Sequence, residues 1–391
     1  MSLMRQLILV IATCLTYAVI ISGQKRVVCY YASWATYRKD EGKYDIAKIN
    51  PSLCSHLIYS FIGLNNDGTI KILDAWIDVR QNGFKNFNAL RNKSPSTKTL
   101  AAIGGWAEGS EKFSNVVSNP GLRAKFINEA VKFLKTYGFN GLDLDWEYPG
   151  QRPGSRPTDK DNFSLLVKEL KERFSREGLI LSAAVNPTPY TAGLSYNIRE
   201  ISKHLDFINL MTYDYHGTNN DKRVGHNAPL FASPQETPDE KQLNCDASVK
   251  YWISQGAPRE KINLGTAFYG RSFTLANPNL HKRGSPATGP GKEGRLTGAA
   301  GTLGYYEVCE NTDKKGWKVE YDAEQHVVYA FQGNQIVGYD DVNSIKEKAQ
   351  YVKNNNLGGA MIWSMDTDDF NGNCNGGKNP LLNALNKVLR N

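Results

Sequence analysis

The sequence predicts an α/β chain: a closed (β/α)8 barrel with a small α+β domain inserted after the seventh strand. Three observations lead there. Short, nearly all-apolar runs recur along the chain, amphipathic segments separate them, and one late stretch is too long and turn-rich to be another barrel unit. The chain has 391 residues, room for one large barrel or two ordinary domains. Its composition, 40% apolar and 11% aromatic, is that of a folded globular protein.

The first 23 residues, MSLMRQLILVIATCLTYAVIISG, read as a secretory signal peptide with an early Arg5, an apolar core from Leu7 to Ile21 and small residues at the end. Cleavage is expected near Gly23–Gln24, which makes the protein secreted and extracellular. A membrane anchor is the competing reading of the same run; no later segment suits a bilayer. Once Cys14 has left with the leader, Cys29, Cys54, Cys245, Cys309 and Cys374 remain. An odd number in an oxidising compartment suggests two bridges and one buried thiol. Cys245, inside the helix-like EKQLNCDASVKYW, is the expected free one. With no CxxC pair a zinc site is not expected, no histidine sits near the acids of GLDLDWE to hold another metal, and no cofactor is expected. The net charge of +8 is scattered, with no long Lys/Arg run. It reads as a solvated basic surface rather than a nucleic-acid interface.

The expected barrel strands follow in order: VVCYY from Val27, HLIYSFIG from His56, TLAAIGG from Thr99 and GLDLDWE from Gly141. They continue with LILSAAV from Leu179, FINLMTY from Phe207, INLGTAFYG from Ile262 and GAMIWSM from Gly359. Near-continuous apolarity marks strands buried on both faces, as in parallel sheets. Helix-like segments fall at 122–137, 160–176, 239–255 and 344–355. From about 270 to 339 come strand-like pieces (RSFTLAN, WKVEYDA, HVVYAFQ, NQIVGYD) that make up the insertion. The barrel then comprises 24–269 and 340–391. GPGKEG, Gly289 to Gly294, matches GxGxxG formally, but no strand leads in and no helix follows, so it is not read as a phosphate loop.

In GFNGLDLDWEYPG, Asp143, Asp145 and Glu147 alternate with Leu142, Leu144 and Trp146. Strand geometry puts the three acids on one face. Carboxyls that close oppose each other's ionisation, so at least one proton should be shared or retained. Such an arrangement costs stability and is kept mostly for chemistry. Barrel chemistry sits where strands end at the C-terminal mouth. Tyr30, Phe61, Trp106, Glu147, Met211, Tyr213, Asp214, Tyr269, Arg271 and Trp363 fall at such ends. Acids ringed by aromatics suit a carbohydrate, whose ring faces stack on aromatic side chains.

NGLDLDWEYPG resembles the DGxDxDWEYP signature of family 18 glycoside hydrolases, the chitinases. CYYASWATYR, AAIGGW, LMTYDYHG, FYGRSFTL and GAMIWSMDTDDF resemble the same family, in order, over essentially the whole mature chain. The likeness is greatest to secreted animal chitinases of an arthropod-like kind. It implies an endo-acting chitinase that retains anomeric configuration and uses the substrate's own N-acetyl group as nucleophile. Glu147 would be the general acid and base, Asp145 would orient the acetamido group, and Asp143 would share a proton with Asp145. Tyr213 would hydrogen-bond the acetamido carbonyl, and Asp214 would help hold the distorted sugar.

The resemblance further implies substrate contacts from Tyr30, Phe61, Tyr148 and Met211. Trp363 would form the floor under the reacting sugar. Trp106 would stack past the cleavage point, with Gly105 permitting close approach. Trp34 and Trp76 would stack toward the non-reducing end, and Tyr269 and Arg271 would bind from the wall of the insertion. Cys29–Cys54 and Cys309–Cys374 would be the bridges. The partner would be chitin or chito-oligosaccharides, the protein a monomer, with no nucleic acid and no membrane involved. Two positions depart from the pattern. Asn140 replaces the first acid of the signature, off the parity of the catalytic face, and reads as structural. Thr218-Asn219-Asn220 stands where a tryptophan is usual, which should weaken binding on the leaving-group side.

The competing function is a chitinase-like lectin or secreted signalling protein that is catalytically weak or inactive; an endoglycosidase of N-linked glycans is a third reading. Such lectins lose the acid at the position where this chain keeps Glu147. After the last helix no separate chitin-binding module follows, so soluble chitin should be handled better than crystalline chitin. Of two sequons, Asn162-Phe163-Ser164 is the expected glycosylation site, because Pro95 follows Asn92-Lys93-Ser94.

Overall fold

The computed structural model describes residues 24–218 and 221–390. The expected leader, with Cys14, and the Asn219–Asn220 departure lie outside the described residues. Eight parallel strands close on themselves: Arg26–Ala32, His56–Leu64, Lys98–Gly104, Gly141–Asp145, Ile180–Val185, Phe207–Leu210, Ile262–Ala267 and Gly359–Trp363. The first pairs with both the second and the eighth, so the barrel has no open edge.

The all-apolar character of the runs follows from burial on two faces. Tyr31, Tyr59, Ile103, Leu142, Leu144, Leu210 and Ile362 face outward into the main core under the helices. Tyr30, Ile58, Ala102, Ala184, Met211, Tyr213 and Met361 form a second cluster inside the barrel. Alternation at period two therefore exists, but both phases are apolar.

The helices are ended by local chemistry. Asn119 caps Pro120–Tyr137 by accepting from the amides of Gly121 and Leu122, with Pro120 in the first turn, and Gly138 in the left-handed region (φ 82°) stops it. The helix expected over 239–255 is instead a short turn, Glu240–Gln242, followed by Cys245–Ser254. Asn244 divides them because its side chain accepts from the Ala247 amide and starts a new helix.

Further strands form a second sheet between Tyr269 and Tyr339, with Tyr269–Leu275 paired to Ala287–Pro290, Thr302–Gly304 and Gln335–Tyr339. The run INLGTAFYG, read as a single strand, is thus two strands in different sheets, parted at Phe268. Local apolarity cannot show where a chain changes sheets. Cys29–Cys54 and Cys309–Cys374 are bridged, and Cys245 is free and buried. Among the described residues no helix is long and apolar enough to cross a membrane.

Candidate active site

A cleft of about 1250 Å³ opens at the C-terminal mouth of the barrel, with Asp145, Glu147, Tyr213, Asp214 and Trp363 among its lining residues. The fourth strand places the acids. Asp143 and Asp145 lie on its inner face, 0% and 3% exposed, and Glu147 stands just past its end. The intervening Trp146 faces the helices, its ring stacked on Phe113 and its Nε1 donating to Ser110 Oγ at 2.9 Å.

The three carboxyls occupy different environments. Asp143 accepts at Oδ2 from Tyr30 Oη (2.6 Å) and at Oδ1 from Ser182 Oγ (2.5 Å), with Asn209 Nδ2 at 3.4 Å. Burial raises it to about 6 while these donors hold it down. Asp145 is raised well above the usual carboxylate range, first by burial and then by the charges of Glu147 and Asp143. Among the described residues its Oδ1 has no hydrogen-bond partner. A buried acceptor left unpaired is costly unless a ligand completes it. Glu147 is pushed up to about 7, mainly by burial and also by Asp214; a hydrogen bond from Tyr148 and the charge of Arg152 oppose the rise. One carboxyl is therefore poised to hold a proton near neutrality.

Aromatic residues line the rest. Trp363 lies 5.5 Å from Tyr30, 5.8 Å from Phe61 and 6.1 Å from Trp34, centre to centre, and Trp34 stacks on Phe61. Met211 and Tyr148 also line the cleft, and among the described residues the Tyr213 hydroxyl has only the Met361 sulfur, at 3.7 Å, as a hydrogen-bond partner. Gly105 (φ 81°) packs so tightly that a Cβ there would come within 2.6 Å of the Phe61 ring. The close approach that it permits is to protein. Trp106 is 62% exposed on the cleft wall.

Other expected residues lie around the cleft or away from it. Trp76 is exposed at the start of the short helical turn Trp76–Arg80, between Asp74 and Asp78, which line one end of the cleft. Tyr269 is buried behind the wall and donates to Asp214 Oδ1 at 2.7 Å; Arg271, which does line the cleft, donates to the same oxygen at 2.7 Å. Asn140 lies at the opposite end of its strand, accepting from Arg91 and the Thr99 amide. Asn162 is half-buried in the helix Asp159–Ser175 and donates to Thr158, whereas Asn92 is exposed.

Several residues that position the site carried no sequence signal. Asn227, 1% exposed, accepts from the Asp214 amide and donates to the Tyr269 carbonyl, holding Asp214 at φ 57°. Arg152 lies over the Trp106 ring at 4.0 Å and donates to the Trp106 carbonyl at 2.6 Å. Ser182 and Asn209 were likewise unmarked. Only the proximity of Arg152 to the acid motif could have drawn notice. A Cys309/Asp369/Cys374 grouping has metal-like spacing, but its sulfurs form a disulfide.

The sequence profile of the glycosyl hydrolases family 18 matches residues 26–368. The chain belongs to this family. Probable chitinase 10 of Drosophila melanogaster is 42% identical over 372 residues, 93% of the family 18 chain, which spans only 16% of that protein. Chitotriosidase-1 of Mus musculus is 41% identical over 93% of the chain and 78% of its own length. Among solved structures, the Group IV chitinase of Ostrinia furnacalis in complex with allosamidin superposes with a TM-score of 0.91 at 43% identity, covering 94% of this chain and 99% of that one. Human YKL-39, described as a pseudo-chitinase with retained chitooligosaccharide-binding properties, superposes at 0.88 with 39% identity, over 94% of this chain and all of that one.

Proposed function

We propose that this family 18 enzyme is an endo-acting chitinase, hydrolysing β-1,4 bonds of N-acetylglucosamine polymers with retention. The observation that carries the reading is the pair Glu147 and Asp145: one carboxyl poised near 7 in the cleft, the next buried with an unpaired oxygen facing no protein donor. Glu147 protonates the departing glycosidic oxygen. The substrate's acetamido oxygen then attacks the anomeric carbon, forming an oxazolinium-like ring, so no second carboxylate has to act as nucleophile. Asp145 takes the acetamido N–H on its open oxygen, and as its own proton shifts toward Asp143 it offsets the positive charge that develops. Tyr213, whose hydroxyl is hydrogen-bonded among the described residues only to a sulfur, donates to the acetamido carbonyl. Glu147, now ionised, draws a proton from the water that opens the ring and returns to its starting state.

The cleft exceeds the roughly 300–1,000 Å³ of ordinary small-molecule pockets, which supports an oligomer as substrate. Trp363, Trp34, Phe61 and Trp106 offer the stacking faces. Two disulfides favour action outside the cell, where such bonds persist. Incubation with N-acetylglucosamine oligomers of several lengths tests the assignment. Shorter oligomers with β-anomeric ends are expected; tight binding without turnover would leave the lectin reading in its place.

A further inference from the structure

The barrel interior holds a line of polar side chains that the chemistry above does not use. At the end of the barrel opposite the cleft, Arg26 Nε donates to Asn263 Oδ1 at 3.0 Å. Asn263 Nδ2 donates to Asn209 Oδ1 at 2.8 Å. Asn209 Nδ2 then reaches Tyr30 Oη at 3.1 Å and Asp143 Oδ1 at 3.4 Å, and Tyr30 Oη donates to Asp143 Oδ2. Both asparagines are fully buried.

The direction of the line is forced by its ends. A guanidinium can only donate, so the Asn263 oxygen must face Arg26 and its nitrogen must face Asn209. The same logic turns the Asn209 nitrogen toward Tyr30 and Asp143. At the far end an ionised carboxylate can only accept. Every dipole therefore points its positive end at Asp143. The path is cleared by glycine: a Cβ at Gly358 would lie 1.8 Å from Arg26 Nη2, and one at Gly359 would strike the Arg26 backbone. Gly359 pairs with Arg26 on one side and Asn263 on the other, so Arg26 reaches across the eighth strand to the seventh.

We infer that Arg26, Asn263 and Asn209 are positioning residues, a polarised hydrogen-bond chain that keeps Asp143 in its carboxylate form and leaves the cluster's proton on Asp145 and Glu147. The inference rests on the chitinase reading for its catalytic meaning, not for its physical content. The groups facing Asp143 are Tyr30, Ser182, Asn209 and Asp145; Asn209 is among those that hold it down. Arg26 is faced by Lys25, Glu260, His56 and Lys261. Burial lowers His56 to about 4, which leaves the Arg26 charge as the fixed source at that end.

The test has two arms. In the first, Arg26→Gln, which keeps a donor without the charge, and Asn263→Leu, which breaks the line, are compared with wild type on chito-oligomers. The acidic limb of kcat should move up by about half a pH unit or more, while KM stays within about twofold and the alkaline limb holds. In the second, the Asp143 carboxyl is titrated by carbon-detected NMR in a Glu147→Gln background, with and without Arg26→Gln, and its midpoint should rise. A purely structural role would lower thermal stability or scale kcat at all pH values without moving either titration. An unmoved Asp143 midpoint in folded Arg26→Gln protein overturns the inference. Absence of hydrolysis by wild type would instead overturn the chitinase reading, and the NMR arm would still decide the chain.

Discussion

Glu147 sets the pH behaviour. Its acid form is needed, and burial raises it to about 7, so it is protonated below that value and lost above it. Consequently kcat/KM for a chito-oligomer should fall tenfold per pH unit above about 7. Glu147→Gln should cost about 10²- to 10⁴-fold in turnover and spare oligomer binding. It should also stabilise the fold at pH 8. A raised native pKa contributes stability at low pH that is lost as pH rises from the unfolded value through about 7, and glutamine imitates the protonated form. The gain should be on the order of 1–3 kcal/mol, read from urea melts at pH 5 and pH 8. Arg152 acts on two groups at once. Arg152→Gln should shift the alkaline limb upward, because its charge holds Glu147 down, and should raise KM several-fold as Trp106 loses its stacking partner. A pH series of initial rates separates the two effects.

At the scale of elements, the loops after the strands do the work and the strands hold them. The Trp106 loop carries Gly104 and Gly105, both at positive φ; a Cβ on Gly104 would come within 2.2 Å of the Asp145 carbonyl. Two neighbouring strand ends are thereby packed backbone to backbone at the acids. The Cys29–Cys54 bridge ties the outer face of the first strand to the turn before the second, closing 25 residues. Replacing both by alanine should cost about 3–4 kcal/mol in urea unfolding by loop-entropy reasoning. The Tyr30 side of the cluster shares that first strand, so the same variant should lose activity at lower urea than wild type.

At the scale of the molecule, one buried ion pair joins three parts. Lys348, in the helix Val342–Asn354, is 0% exposed; it donates to Asp340 at the end of the inserted sheet and to the Ala228 carbonyl in the segment after the sixth strand. That segment carries Asn227, the anchor of Asp214. Lys348→Met removes the partner of a buried acid and should destabilise by roughly 3–5 kcal/mol; Asp340→Asn added to it should recover part of the loss. Calorimetric melts of the two variants check this.

What the sequence determined by itself was whatever repeats over a few residues. Eight apolar runs with amphipathic spacers specify a barrel, and carboxyls at every second position must share a face whatever lies around them. The cysteine left unbridged was legible too, since five cysteines leave one over and Cys245 lies in a helix-like stretch. Tertiary structure decided what depends on residues far apart in the chain. Asn209 looks like any polar residue in a strand until closure brings it to Tyr30, 179 positions away, and Asn263 takes its orientation from Arg26, 237 positions away. Tyr269 was assigned by motif, and its hydrogen bond to Asp214, 55 positions away, appears only in the folded chain. A hydrogen bond needs a partner within about 3 Å at the right angle. That condition is met only when the barrel has closed, whereas the side on which a strand residue points is fixed by its neighbours.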